Sequence, residues 1–353
     1  MIKARSAQLK YYGVRLCVLF ASVYVALFLA EIVLWKMEPK QYLREMYRNL
    51  YDIKDGRGVL RPGYIDHFDD GITRGEVRVN SLGYRGHEPG PNPKWRVLLL
   101  GDSFTFGALL DQKDTIDARI EEKEPGLEVD NLGVSGYNLP EQLGPLRDWT
   151  LPANQVVYLF YYNDLEPAGE MKVVDGYLIP GRRGDGMPVT DEEARAKIKM
   201  RETQNAESHR FKPISLISVP RVRQLLKNSF SRVRTDRNFP AIDMWLIERD
   251  RTTLIPRALA YTQEMRDMTV QRNMGFQIAI IPSSEEVRDG KHYPVVAEYI
   301  AGLKSAGIPF IDLLPKLSVS DYWSHDTHFN PKGAQVAADE IYEALKGSNP
   351  RVQ

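Results

Sequence analysis

The sequence predicts an α/β protein built on a mainly parallel sheet, and three observations lead there. Short apolar runs of strand length recur: Val97 to Leu100 after Arg96, Leu127 into the Asn131 to Gly136 loop, Val156 to Phe160, and Phe276 to Ile281. The first is too short for a helix and is bounded by Gly101, so it reads as a strand buried on both faces. Stretches with helical spacing separate the runs, and such alternation implies parallel pairing with right-handed crossovers. Polar residues follow the runs directly, at Asp102, Ser103 and Asn163, and open α/β sheets keep their sites at the carboxyl ends of their strands.

In chain order, the first feature is Leu16 to Trp35, almost wholly apolar apart from Glu31. About twenty such residues in a helix span a bilayer's hydrocarbon core, so residues 16–35 are expected to form one transmembrane anchor. Lys3, Arg5, Lys10 and Arg15 precede it. The positive-inside bias then puts residues 1–15 in the cytoplasm and the rest of the chain across the membrane, in the periplasm or outside a bacterial cell. The stretch is longer than a usual signal core and ends without a small-x-small cleavage pattern, which favours an anchor over a cleaved signal peptide. Residues 36–76 mix charges with Pro39, Pro62 and several glycines and read as a juxtamembrane helix or linker.

The main domain is expected over residues 77–347. It opens on a strand pattern that turns at Asn80, Ser81 and Gly83, with Arg85 expected as a surface or packing charge. Helices are expected over Thr115 to Lys123, closed by Pro125 and Gly126, and over Gln142 to Trp149, ended by Pro152. From about 168 to 250 the rhythm breaks. Val173 to Pro180 suits a small hairpin, Thr190 to Asn205 is charged and helix-permissive, and Ile214 to Phe230 is partly helical in spacing, so this reads as an inserted cap or mobile segment. The pattern then returns: a helix over Ile255 to Asn273, a strand ended by Pro282, a helix over Val295 to Ala306, a strand over Ile308 to Leu314, and a final helix over Pro331 to Lys346. Pro331 at its start and Gly347 beyond its end fit helix punctuation.

The charges cancel, 47 basic against 47 acidic residues, which argues against a nucleic-acid partner held by phosphate neutralisation. The single cysteine, Cys17, allows neither an intramolecular disulfide nor a cysteine metal cluster. It is expected to be a passive buried thiol.

Ser103 suits two roles, a cap for the following helix or a nucleophile. The segment His325, Asp326, Thr327, His328, just before the last helix, bears on the choice. Residues two apart in an extended stretch point the same way, so Asp326 can sit beside the His328 imidazole and fix its tautomer. His328 can then accept the Ser103 proton, which completes a nucleophile, a base and an orienting acid. Candidate donors to an oxyanion are the backbone N–H groups of Ser103 and Gly136 and the side-chain amide of Asn163. Two rivals stand beside them: His325 as base and Ser135 as nucleophile. His328 is favoured because it has Asp326 at the shorter spacing, and a serine in a glycine loop is more often a turn residue. The Gly-x-Ser-x-Gly elbow of the other α/β-hydrolase class is absent from the sequence.

Four blocks in order, Gly101-Asp102-Ser103, Asn131-Leu132-Gly133-Val134-Ser135-Gly136, Asn163-Asp164 and Asp326-Thr327-His328, resemble those of the SGNH hydrolases, also called GDSL esterases and lipases. The resemblance covers Val79 to Leu345 in outline and leaves out the anchor and the insertion. It implies a three-layer α/β/α sandwich, Ser103 as nucleophile, His328 as base, Asp326 as its partner, and Ser103, Gly136 and Asn163 around the oxyanion. Asn80 to Arg85, NSLGYR, is similar to the segment before the serine block in many membrane-anchored members. The commoner family pattern is Asp-x-x-His. Here His325 stands three before His328, and the Asp-x-His spacing resembles that of relatives that move or remove acetyl groups on polysaccharides.

The expected function is therefore a membrane-anchored serine esterase that cleaves an ester, such as an O-acetyl group on a glycan, through an acyl-Ser103 intermediate. No metal or organic cofactor is expected; the partners are an ester-bearing small molecule or glycan and the membrane. The alternatives are a polysaccharide O-acetyltransferase using the same triad and a non-catalytic SGNH-like subunit bound to an envelope protein. A metal-dependent phosphoesterase built on His325, Asp326, His328 and Asp102 lacks the separated histidine and acid clusters such sites use.

Overall fold

The computed structural model describes residues 2–37, 49–69, 73–165, 171–181, 187–209, 222–223, 242–324 and 326–348. In chain order the elements are α1 (Ile2–Met37), β1 (Tyr51–Lys54), β2 (Arg57–Leu60), β3 (Ile65–Asp69), β4 (Arg74–Arg78), β5 (Trp95–Gly101), α2 (Ser103–Phe106), α3 (Ile116–Glu121), β6 (Leu127–Asn131), α4 (Leu139–Asp148) and β7 (Gln155–Phe160). They continue with β8 (Met171–Val174), β9 (Tyr177–Pro180), α5 (Asp191–His209), α6 (Ile242–Gln271), β10 (Gly275–Ile280), α7 (Ser284–Asp289), α8 (Pro294–Ser305), β11 (Phe310–Asp312) and α9 (Pro331–Ser348). The chain divides into two units, Met1–Tyr42 with Lys197–Phe239, and Leu43–Ala196 with Pro240–Gln353.

In the first unit, Tyr11–Leu34 of α1 is long and apolar enough to cross a bilayer. Cys17 is exposed on this helix rather than buried; an apolar helix surface, not a protein core, surrounds it. Glu31 is fully buried and accepts the Val222 N–H at 3.1 Å, as a carboxylate on an apolar helix requires a donor.

In the second unit, five strands form one parallel sheet in the order β11-β10-β7-β5-β6. Every residue of β5, β6 and β7 is buried, because helices cover both faces of a parallel sheet. Side chains alternate across a strand, and the core divides accordingly. Leu98, Leu100, Val156, Tyr158, Phe160, Ile278 and Ile280 pack with α4, α6 and α8, through residues such as Leu146, Ala258 and Tyr299. Val97, Leu99, Val129, Val157, Leu159 and Ala279 pack on the other side with α3 and α9, through Ile116, Ile120, Ala337 and Ile341. This is the three-layer α/β/α sandwich.

Residues 49–69 and 73–78 differ from a linker. They form two antiparallel hairpins, β1-β2 and β3-β4, whose Leu50, Tyr51, Leu60, Phe68 and Val77 pack with Phe106, Leu109, Val134 and Tyr137. The Tyr137 hydroxyl donates to the Gly58 carbonyl. The domain thus begins well before residue 77, since those apolar side chains need the main body to bury them. Within the expected insertion, β8-β9 forms the hairpin anticipated over Val173 to Pro180, and Leu178 and Val173 pack near Gly58. Helix α6 begins at Ile242, ahead of the expected Ile255. Most of Ile214 to Phe230 lies outside the described residues.

Candidate active site

The sheet carries its candidate residues at one crevice. From β5 the chain continues into α2 and α3 on one face, while from β7 it leads to α6 on the other. Adjacent parallel strands whose connections diverge leave a gap at their carboxyl ends. Ser103 follows β5 and Asn163 follows β7, one on each side of that gap.

The turn after β5 needs glycine. Gly101 has φ 152°, and a Cβ there would collide with Thr105 Oγ1 and stand 2.8 Å from the Leu159 carbonyl oxygen. Asp102, not Ser103, caps the four-residue α2: its carboxylate accepts the Phe104 N–H at 2.9 Å. Ser103 is therefore the first helical residue. Its N–H is among those that helix geometry leaves without an intrahelical acceptor. Asp102 is completely buried, and this burial raises its carboxyl above the usual range, against the Phe104 N–H, the nearby His328 and the Asn163 amide, which pull it down.

The histidine arrives from the opposite end of the domain. Tyr322 and Phe329 pair across a β-bridge, the Trp323 N–H donates to the His328 carbonyl at 3.0 Å, and Asn330 Oδ1 accepts the N–H groups of Lys332 and Gly333 at the start of α9. Pinned between bridge and cap, the loop turns on Asp326, whose Oδ1 accepts the His328 N–H at 2.9 Å. The same oxygen lies against His328 Nδ1. His328 Nε2 is 2.7 Å from Ser103 Oγ. The Phe104 ring stacks at a tilt against the imidazole, 5.0 Å between centroids, and itself rests on Tyr161 and Phe329.

Ser103, Asp326 and His328 thus meet in one hydrogen-bonded row. His325 lies outside the described residues. The Gly136 loop is held beside this row by the Val134 N–H, which donates to the Gly101 carbonyl at 3.1 Å, and Gly136 is exposed with φ 85°. Gly133 permits the approach, because a Cβ there would press on Phe106 N and Thr105. Asn163 Oδ1 and Ser135 Oγ are buried without a hydrogen-bond partner. Behind Asn163, fully buried Asp164 accepts Tyr158 O–H at 2.7 Å and Tyr161 N–H at 3.0 Å. Burial, then the Asp102 charge, push its carboxyl well above the usual range.

A family model described as the SGNH hydrolase-like domain of the acetyltransferase AlgX matches residues 259–353, the stretch that contains Asp326 and His328. Over that stretch the chain is similar to an SGNH hydrolase-like domain. Solved structures similar to this chain include a member of the lipolytic G-D-S-L family from Veillonella parvula, 13% identical over 71% of this chain and 98% of its own, with TM-score 0.40. An M. smegmatis aryl esterase is 10% identical over 72% of this chain and 99% of its own, TM-score 0.38. A carbohydrate acetylesterase from Sinorhizobium meliloti is 10% identical over 72% and 100%, TM-score 0.36. No curated protein matches the chain in sequence.

Two neighbours of the candidate residues went unread in the sequence. Gln142 is fully buried and accepts the Gly101 N–H at 3.1 Å; its signal is a polar residue on the inward stripe of α4 between Leu139, Leu143 and Leu146. Phe104 cushions the imidazole and gives no signal beyond being apolar. Arg85, expected as a surface or packing charge, is 1% exposed and so packed inside.

Proposed function

We propose that the protein is a serine-dependent acyl-transfer enzyme of the SGNH type, acting on an acetyl ester of a carbohydrate and tethered by α1 with its site outside the cytoplasm. The observation that carries this is the row from Asp326 through His328 to Ser103 Oγ, 2.7 Å at its reactive end. A serine hydroxyl needs a base within hydrogen-bond reach and an acid that fixes the tautomer of that base.

In this reading Ser103 Oγ attacks the acetyl carbonyl as its proton passes to His328 Nε2. Asp326 stabilises the resulting imidazolium at Nδ1. The tetrahedral oxyanion takes hydrogen bonds from the N–H groups of Ser103 and Gly136 and the Asn163 amide, each worth about 3 kcal/mol in the transition state. His328 returns the proton to the departing alcohol oxygen, and acetyl-Ser103 remains. A second hydroxyl then attacks with His328 again as base. Water releases acetate; a sugar hydroxyl yields an acetylated glycan.

Transfer is the second reading, and the match to a domain described for an acetyltransferase supports it. The full chain in detergent, given an activated acetyl ester and a glycan, separates the two. Acetate alone supports hydrolysis and acetylated glycan supports transfer. Neither product, with no fluorophosphonate adduct at Ser103 in folded protein, sinks both and leaves the binding-subunit alternative.

A further inference from the structure

The turn that carries Ser103 is a single helical turn of four residues, and the carbonyls at a helix end lack intrahelical donors. Side chains from outside the turn supply them. Asn131 Nδ2 donates to the Thr105 carbonyl at 2.6 Å and to Asp117 Oδ1 at 2.7 Å. Arg85 Nη1 donates to the carbonyls of Phe106 and Gly107, both at 2.6 Å, and Nη2 to those of Leu110 at 2.7 Å and Glu76 at 3.3 Å. Arg85 Nε donates to Gln112 Oε1 at 3.2 Å, and the guanidinium lies 4.7 Å above the Phe106 ring centroid.

Arg85 is also fixed from behind, because its backbone bridges to Val79 on one side and Asn131 on the other. A buried guanidinium is expensive unless its donors are used; here Nη1 holds the end of the nucleophile turn, while Nη2 and Nε fasten the guanidinium to Leu110, Glu76 and Gln112. The cation complements the partial negative charge of that helix end. A lysine ammonium lacks the planar fork that reaches several carbonyls at once.

We propose that Arg85 is the positioning residue of the nucleophile. By holding the carbonyl end of the Ser103–Phe106 turn, it sets the pose in which Ser103 Oγ meets His328 Nε2. This rests on Ser103 being the nucleophile. Arg85 itself touches neither reacting atom, so its removal acts through geometry, where a displacement of about 1 Å costs about a hundredfold in rate.

The test compares the full chain with Arg85→Ala and Arg85→Lys in detergent, reading three quantities: the rate of fluorophosphonate labelling at Ser103, hydrogen exchange of the Gly107 and Ala108 amides, which donate to the Ser103 carbonyl, and thermal melting. Arg85→Ala is expected to melt cooperatively, label about a hundredfold more slowly and exchange those amides faster. Guanidinium ion at millimolar concentration is expected to restore its labelling while ammonium does not, and Arg85→Lys is expected to stay slow. Wild-type labelling in folded Arg85→Ala, or no recovery with guanidinium, overturns the proposal. Should Arg85→Ala fail to fold, wild-type labelling or wild-type exchange in Arg85→Lys overturns it instead. A wild-type chain that takes no label fails the Ser103 reading; unchanged exchange in the Arg85 variants then still counts against the clamp.

Discussion

Ser103 Oγ and His328 Nε2 stand 2.7 Å apart although 225 positions separate them in the chain. Neither residue is deeply buried, and the contact depends on the Asp102-capped turn and on the Tyr322–Phe329 bridge with the Asp326 turn. Replacing Ser103 with Ala is expected to lower kcat by about a million-fold with an unchanged melting temperature. Asp326→Asn is expected to lower it by about ten-thousand-fold, because the amide favours the wrong imidazole tautomer. His325→Ala should stay within a few-fold of wild type, as measured by acetyl ester hydrolysis; a loss as large as that of His328→Ala would make His325 the base.

Asn163 and Asp164 separate by function. Asn163→Ala removes a candidate oxyanion donor and is expected to reduce kcat by about 10²–10³-fold with little change in KM. Asp164→Asn keeps an acceptor for the Tyr158 hydroxyl, and the buried carboxyl it replaces has its pKa raised chiefly by desolvation. A raised carboxyl pKa means that ionising it opposes folding as pH rises past the ordinary value of 3.8. The neutral amide should therefore melt no lower than wild type at pH 7, whereas Asp164→Ala, which orphans Tyr158, should melt lower.

Gly101→Ala places a side chain where the Leu159 carbonyl is 2.8 Å away, at a φ of 152°. The expected loss is about 3 kcal/mol, summed from backbone strain and overpacking. Urea unfolding would measure it. A variant as stable as wild type would show that the turn can open without penalty.

His292 links the carboxyl ends of β10 and β11, with Nδ1 3.0 Å from Glu286 and Nε2 3.0 Å from Asp312. Although desolvation lowers it, hydrogen bonds to Asp312 and Glu286 raise its pKa from 6.5 to about 9. Its contribution to stability is therefore complete below pH 6.5 and fades as pH climbs through about 9. Melting temperature is expected to fall between pH 7 and 10, and His292→Gln to flatten that slope. An equal slope in both proteins would put the effect elsewhere.

The sheet strands and the pairing of Asp326 with His328 were legible because they depend on local patterns. Val97 to Leu100 is a continuous apolar run, and Asp326 reaches His328 within a single loop. Other features depend on partners distant in sequence. Arg85 reads only as a surface or packing charge because its shortest hydrogen bonds go to the carbonyls of Phe106, Gly107 and Leu110, over twenty residues away, and backbone acceptors leave no trace in side-chain composition. Taken with its neighbours alone, Ser103 reads first as a cap, a role the structure gives to the Asp102 carboxylate on the Phe104 N–H. The β1-β2 and β3-β4 hairpins escaped notice because charged residues such as Asp52, Lys54 and Arg57 interrupt any apolar alternation.

Those hairpins bear on how the protein can be handled. Leu50 and Leu60 are wholly shielded from solvent, and the hydroxyl of Tyr137, next to Gly136, donates a hydrogen bond to the Gly58 carbonyl. Starting the chain at residue 77 would therefore uncover apolar side chains and remove the brace on the Gly136 loop, leaving a product prone to aggregate. A cut just ahead of Asn49 would keep that brace.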